Sequence, residues 1–349
     1  MYNSQTAAES LEGLIINNRW KVIKRIIPNK KNTGGNFSVA YVVEDEVGIA
    51  FLKAIDFHSF FNSGTNNIVD AMKEMTDAYT YERDLLNRCK RNSLNKVSTI
   101  IDEGEFELDN FSIINKVPYL VFDMADGDIR TVIDFTSKVD ICWKLQSLHN
   151  ISVGLKQLHG IKIGHQDIKP SNILLFDDKK VSKIGDLGRS LCKEIKAPHD
   201  FGGFVGDLNY SPPEYFYGYI HTEWDMRVKS TDFYLFGSMI TFYFSGLNMT
   251  TLLFQNTAKE FWPQEWGGDY KAVLPYLINS FQIALLEFQE SIDGDNLKDE
   301  LKKIVEYCCH PDPNLRGHKN STGKYILDFQ KTISKLDLLH KQLLYKVKK

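Results

Sequence analysis

The sequence predicts an α+β fold, with strands gathered in the first third of the chain and helices in the rest. Three observations carry this reading. Between Trp20 and Asp123, runs of alternating apolar and polar residues recur between turn-rich stretches. Beyond them, Ile141, Leu145, Leu148, Ile151, Leu155 and Leu158 recur at steps of three and four, as on one face of a helix. A dense apolar stretch at 233–244, interrupted by Gly237 and Ser238, reads as a buried helix, being far short of the roughly 20 residues a bilayer requires.

Taken in order, residues 1 to about 17 read as a loose arm or a short helix. Trp20, Val22 and Ile26 alternate with Lys21, Lys24 and Arg25, the pattern of a strand. After the turn-rich stretch 28–36, residues 37–44 and 48–55 read as the next two strands. The composition of 57–67, Asn-Ser-Gly-Thr-Asn-Asn at its centre, is that of a loop. Residues 68–90 are helical in pattern, and 99–106 and 117–123 read as strands. Two short apolar runs, 173–175 and 181–184, flank a turn at Asp177-Asp178. Residues from 251 onward read as further helices. From about Tyr325, Ile326, Phe329, Ile333, Leu336, Leu339, Leu343 and Leu344 outline a terminal helix that docks on the larger part.

The chain of 349 residues is long enough for one large or two ordinary domains, and 43% apolar with 25% charged residues is ordinary for a globular protein. A net charge of −3 shows no basic surplus of the kind that marks nucleic-acid binders. The opening MYNSQTAAESLEG is polar and acidic, without the basic and apolar regions of a secretory signal. Five scattered cysteines fit free thiols in a reducing, cytoplasmic setting, and Cys308-Cys309 has no partner pair at zinc spacing, so it reads as packing.

The most informative stretch is GHQDIKPSNILL, beginning at Gly164 and holding His165, Asp167, Lys169 and Asn172. Phosphoryl transfer needs a carboxylate to orient a hydroxyl and take its proton, a cation to neutralise the migrating group, and an oxygen ligand for a metal on the phosphates. Asp167, Lys169 and Asn172 are the right types for those tasks. Ile184-Gly185-Asp186-Leu187-Gly188 lies downstream and Ala50-Phe51-Leu52-Lys53 upstream. With these motifs in this order the chain resembles a eukaryotic-type protein kinase, most like the serine/threonine branch, from about Trp20 to Arg316.

The resemblance implies a bilobal kinase fold: an N-terminal arm (1–17), a small antiparallel lobe with one main helix (18–123), a larger mostly helical lobe (124–318) and a C-terminal helix packed on it (319–349). It implies ATP and Mg²⁺ as cofactors and a protein substrate, with no nucleic acid and no membrane insertion. In the glycine loop Thr33, Gly35, Ser38 and Ala40 fall on the four named positions, with Gly34 beside them, so only one of the pattern's named glycines is kept. Lys53 would grip the nucleotide phosphates and Glu82 would hold Lys53, with Glu74 the alternative. Phe122 would back the adenine pocket, Asp123 to Ala125 would form the hinge, and Asp128 would bond a ribose hydroxyl. Asp167 would be the base, with Lys169 beside the transferring group. The short strands would set Asn172 and Asp186 at opposite ends of one hairpin, where both reach the same Mg²⁺ pair. Glu214 would pair with Arg316 in the large lobe, and Asp232 would bond the catalytic-loop backbone.

Two departures bear on regulation and competence. Gln166 stands before Asp167 where the family pattern has arginine, and a neutral side chain cannot grip an activation-loop phosphate. The segment 186–214 has no threonine and, as serines, only Ser190 and Ser211. Activation-loop phosphorylation is therefore not expected to be the main switch; regulation would come through an unknown partner, the arm, the long loop or the C-terminal helix. Asp207 stands where serine/threonine-specific members carry threonine; it could pair with Lys169 but would repel Asp167. These departures keep a nucleotide-binding pseudokinase open as a rival, and the H-x-D-x-x-x-x-N spacing is shared with small-molecule kinases. Pro170 after Lys169, the P-P-E close at Glu214, Asp232 and Arg316 favour a protein kinase.

Overall fold

The computed structural model describes residues 6–27, 37–58, 68–109, 111, 115–133 and 138–347. They fall in two compact units, 1–126 and 127–349.

In the first unit β1 (Ile15–Ile16), β2 (Trp20–Ile26), β3 (Ser38–Glu44), β4 (Ile49–Ile55), β5 (Ile100–Glu107) and β6 (Lys116–Asp123) form an antiparallel sheet in the order β1-β2-β3-β4-β6-β5. Helix α1 (Ile68–Arg91) joins β4 to β5. Side chains alternate across a strand. One face therefore buries Val22, Val39, Tyr41, Val43, Ala50, Leu52, Ala54, Val117, Tyr119 and Val121 in a single cluster. The other face carries Ser38, Ala40, Phe51, Lys53 and Phe122, since Ala40 pairs with Lys53 and Phe51 with Phe122 in register.

The arm differs from the expectation. Residues 6–16 are neither loose nor helical: they run through turns into β1. Ala7, Ala8, Leu11 and Ile16 are buried in the same cluster, the Tyr41 hydroxyl donates to the Ala8 carbonyl at 2.7 Å, and Arg25 pairs with Glu9 at 2.8 Å. The apolar face of the sheet needs a cover, and Ala7, Ala8 and Leu11 supply part of it.

The second unit begins with β7 (Gly127–Asp128), which pairs with β9 (Ile173–Phe176), itself the antiparallel partner of β10 (Val181–Ile184). Helix α2 (Ile141–Gly160) starts where Asp140 accepts from the Trp143 N–H at 2.9 Å, an N-cap. Short strands β8 (Ile163–Gly164) and β11 (Leu191–Cys192) pair with one another. Then come α3 (Pro213–Phe216), α4 (Trp224–Ser245), α5 (Met249–Gln255), α6 (Tyr270–Glu290) and α7 (Asp295–Cys309). The apolar run of α4 is buried on all sides: Phe233, Tyr234, Leu235, Phe236, Met239, Ile240 and Tyr243 are fully inaccessible. Cys308 and Cys309 are buried free thiols against this helix, and a Cβ on Gly237 would fall 2.2 Å from the Cys309 Sγ. They serve packing.

The terminal helix α8 (Gln330–Val347) lies on α2 and starts later than its apolar spacing suggests. Tyr325 and Ile326 instead form β13 (Tyr325–Ile326), paired with β12 (His318–Lys319). The hairpin turns at Gly323, whose φ of +81° lies in the left-handed region. Phe329 is buried between Phe233 and Phe236, with ring centroids at 4.1 and 5.4 Å. Among the described residues no helix is long and apolar enough to cross a membrane.

Candidate active site

The loop from β8 to β9 is held from below by one carboxylate. Asp232 of α4 is fully buried and accepts from the His165 N–H at 2.9 Å and the Gln166 N–H at 2.8 Å, with the His159 Nε2 also at 2.8 Å. A buried carboxylate needs such partners, and here they are the loop backbone itself. Gln166 takes a left-handed φ of +66° and donates its side-chain amide to the Val228 carbonyl at 2.8 Å and to Asp232 at 3.0 Å. Its side chain thus faces α4. Gly164 permits the close approach, since a Cβ there would lie 2.1 Å from the Val228 Cγ1.

This anchoring sets Asp167. Its N–H donates to the His165 Nδ1 at 3.2 Å, so the His165 proton sits on Nε2, 2.9 Å from the Gly185 carbonyl. The Asp167 carboxylate is buried and engaged on both oxygens. Oδ2 lies 3.1 Å from the Lys169 Nζ and accepts from the Asn172 Nδ2 at 3.0 Å, and Oδ1 accepts from the Asp207 N–H at 2.9 Å. Asn172 also donates to the Asp167 carbonyl at 2.8 Å. Its amide nitrogen is thereby committed to Asp167, while its Oδ1 accepts from the Ser171 hydroxyl at 3.3 Å. Lys169 lies between two carboxylates, with Asp207 Oδ2 at 3.4 Å.

Ile173 pairs with Ile184 in the β9–β10 hairpin, and the Gly185 N–H donates to the Asn172 carbonyl at 2.8 Å. The two chain ends carrying Asn172 and Asp186 therefore meet at the open end of the hairpin. Asp186 is exposed, with φ +58°, and caps its own turn by accepting from the Gly188 N–H at 3.2 Å.

In the first unit the Lys53 Nζ lies 2.8 and 2.9 Å from the two oxygens of Glu82. Met75, Tyr79, Glu82, Leu86 and Cys89 form the buried stripe of α1, which aims Glu82 inward, whereas Glu74, one residue before Met75, is exposed. Ser38 and Ala40 are half-buried on the face of the sheet that carries Lys53, and the Phe51 and Phe122 rings lie 6.3 Å apart there. Asp123 is the last residue of β6 and Ala125 lies two residues beyond it. Thr33, Gly34 and Gly35 lie outside the described residues.

Asp128, in the second unit, is engaged locally. It accepts from the Arg130 N–H at 2.8 Å and pairs with the Arg130 guanidinium at 2.6 Å, which in turn raises the Arg130 pKa. The sequence reading did not single out Arg130, though its spacing of two from an aspartate that caps a turn is a local signal.

The sequence pattern of the protein kinase domain matches residues 65–322. This chain belongs to the protein kinase family. The inhibitor of nuclear factor kappa-B kinase subunit alpha of Danio rerio is 35% identical to it over 136 residues, 36% of this chain and 16% of the relative. The subunit of the same name from Xenopus laevis is 28% identical over 267 residues, 71% of this chain and 32% of the relative. The cysteine-rich receptor-like protein kinase 2 of Arabidopsis thaliana is 26% identical over 237 residues, 64% of this chain and 34% of the relative. The chain spans about a third or less of the length of these relatives.

In this kinase the segment 186–214 is tied down along its length. It starts with β11 on β8. Ser190 and Ser211 are both fully buried, with hydroxyls toward the His165 and Pro212 carbonyls. Asp200 forms a two-pronged ion pair with Arg227 of α4, at 2.7 and 2.8 Å. Gly206 lies against the loop from β8 to β9, where a Cβ would be 2.2 Å from the Gln166 carbonyl. The segment ends at Glu214, paired with the fully buried Arg316 at 2.6 Å on both oxygens. The Asp200–Arg227 pair was not legible locally, because its members are 27 residues apart.

Proposed function

We propose that this kinase transfers the γ-phosphoryl group of ATP to serine or threonine hydroxyls of a protein. The observation that carries the reading is the set of donors converging on the Asp167 carboxylate, with the Lys169 ammonium at 3.1 Å. The acceptor hydroxyl donates its hydrogen bond to Asp167. As the hydroxyl oxygen bonds to the γ-phosphorus, the bond to the bridging oxygen breaks, ADP leaves with that electron pair, and the proton passes to Asp167. Lys169 lowers the cost of charge on the migrating oxygens.

Asn172 Oδ1 and the Asp186 carboxylate are hard oxygen donors, the type Mg²⁺ takes, and the Asn172 amide nitrogen is turned to Asp167, so that its oxygen is the end that can take a metal. Mg²⁺ held by them supplies positive charge to the phosphate oxygens. Lys53, fixed by Glu82, is the group for the α- and β-phosphates. Ser38, Ala40, Phe122, Asp123 and Ala125 are proposed nucleotide contacts, together with Thr33, Gly34 and Gly35. For Asp128 the same role requires that it share its carboxylate with Arg130. On this reading 18–123 serve the nucleotide, 124–318 the acceptor and the transfer, and 319–349 brace the large lobe.

A groove of about 360 Å³, lined by Leu208, Phe216, Phe254 and Trp262 among others, opens one residue past Asp207. Transfer of label from γ-labelled ATP with Mg²⁺ to a generic protein tests the proposal. Asp167→Asn is expected to lower it by about 10²–10⁴-fold. Equal transfer by both proteins would refute the assignment. Nucleotide binding without transfer by the wild type would favour a scaffold.

A further inference from the structure

We infer that Asp200 and Arg227 are positioning residues: their ion pair clamps the segment 186–214 onto α4 and so sets Asp207 against Asp167 without any phosphate on the segment. This rests on the kinase reading above for its activity readout.

The start of α4 holds two things at once. Val228 and Asp232, one turn apart, bind the catalytic loop through Gln166 and His165. Arg227 binds the segment through Asp200, and its own carbonyl accepts from the Thr231 hydroxyl at 2.7 Å. Thr231 is in turn 3.0 Å from the Tyr215 hydroxyl, near the far end of the segment. The loop that presents Asp167 and the segment that presents Asp207 are therefore referenced to adjacent residues of one rigid helix. Asp207 meets Asp167 through its N–H at 2.9 Å, so a shift of the segment would remove a donor from the base.

The pair is built to last. The Arg227 and Asp200 side chains are only 11% and 20% exposed, and the contact is a planar two-pronged one, the strongest form of carboxylate recognition. Asp200 also accepts from the Gly202 N–H at 3.1 Å, in a turn where Gly202 takes φ +90°. The guanidinium beside Asp200 holds its carboxyl below the usual carboxylate range, so it stays charged at neutral pH.

A phosphate on either serine of the segment lacks the parts. Both serines of the segment are fully buried, and the side chain before Asp167 is a neutral glutamine bonded to α4. Asp200 is a fixed charge, present in every copy of the chain, that ties the segment to α4, and the more exposed Lys193–Asp225 pair at 3.0 Å ties it to the same helix.

The test compares wild type with Asp200→Asn, Asp200→Glu and Arg227→Lys, after phosphatase treatment of all four. Two readouts are taken: steady-state transfer to a generic protein substrate, and hydrogen exchange of peptides across 190–210 by mass spectrometry. Asp200→Asn is expected to lower kcat by about tenfold or more with the KM for ATP unchanged, because a smaller fraction of molecules holds the competent segment. Asp200→Glu should recover most of that loss, and Arg227→Lys, which cannot make the fork, should not. Exchange across 190–210 should speed up in Asp200→Asn while peptides of α6 keep wild-type protection, which also shows that the variant folds. Wild-type activity abolished by the phosphatase and restored by rephosphorylation would overturn the inference, as would Asp200→Asn with wild-type kcat and exchange. If the wild type transfers no phosphate but the exchange difference is present, the clamp stands and the kinase reading falls.

Discussion

Arg316→Met should be among the most damaging substitutions available in the second unit. Arg316 is fully buried and makes five hydrogen bonds: to the two oxygens of Glu214 at 2.6 Å, and to the carbonyls of His310, Pro311 and Ser230 at 2.8, 3.2 and 3.4 Å. Burial alone would pull its pKa down, but the Glu214 carboxylate raises it above the usual arginine value, so the pair is ionic. Methionine fills much of the volume but leaves a buried carboxylate without its cation, which costs about 3–5 kcal/mol. Against a total stability of about 5–15 kcal/mol this is a large fraction. In equilibrium urea unfolding, with a slope of about 2–3 kcal/mol per molar, the midpoint should fall by about 1–2.5 M. Adding Glu214→Leu removes the stranded charge, so the double variant should be more stable than the sum of the two singles predicts, by at least about 2 kcal/mol. A loss below about 1 kcal/mol for Arg316→Met, or strict additivity in the double variant, would refute the claim that Glu214 depends on Arg316 as its buried counter-ion.

Three further outcomes follow from the same structure. Phe329→Ala removes the ring stacked at 4.1 Å on Phe233 and should cost about 3–5 kcal/mol, read as a drop in Tm; an unchanged Tm would show that α8 is not held by this ring. Burial pushes His199, His310 and His318 below the ordinary histidine value of 6.5, so these residues favour the folded state fully above that pH and lose their contribution as pH falls below it. Tm should therefore decline between pH 7 and pH 5, and a flat or rising Tm across that window would contradict the assignment. Asp207→Asn keeps the N–H on Asp167 and an oxygen to cap its turn, so kcat should stay within about threefold of wild type; a loss as deep as that of Asp167→Asn would mean the Asp207 carboxylate takes part in the chemistry.

Much of the fold was legible because it rests on local periodicity. The alternation of β2 and the three-and-four spacing of α2 located those elements nearly to the residue. Glu82 and Glu74 were harder to separate, since eight residues bring a helix back close to the same face. What separates them is the stripe Met75, Tyr79, Glu82, Leu86 and Cys89, which Glu74 misses by one position. Residues 6–16 were read as a loose arm or a short helix because Ala7 and Ala8 carry little apolar signal; their burial depends on a sheet face that exists only after β2, β3 and β4 pair. The start of α8 was placed too early because Ile326 fits the helical spacing, yet Gly317 and Gly323 fold that stretch into a hairpin.

Asp207 shows why the candidate site was less legible than the fold. From sequence, an acid near Asp167 means repulsion, because only side-chain charge can be read. In the structure Asp207 turns its N–H, not its carboxylate, toward Asp167. The carboxylate instead accepts from the Asn209 N–H at 3.0 Å and so caps the turn at 208–210, while its other oxygen lies 3.4 Å from Lys169. Lys169 is thus shared by two acids, and the like charges are bridged by a cation at 3.1 and 3.4 Å instead of facing one another. The same logic covers Gln166. Losing arginine there removes a phosphate ligand, but the glutamine amide reaches Val228 and Asp232, and charge recognition of the segment passes to Arg227, one residue before Val228 on the same helix. Each departure changes which atom does a task while the backbone frame around Asp167 stays intact, which is why neither one alone argues against catalysis.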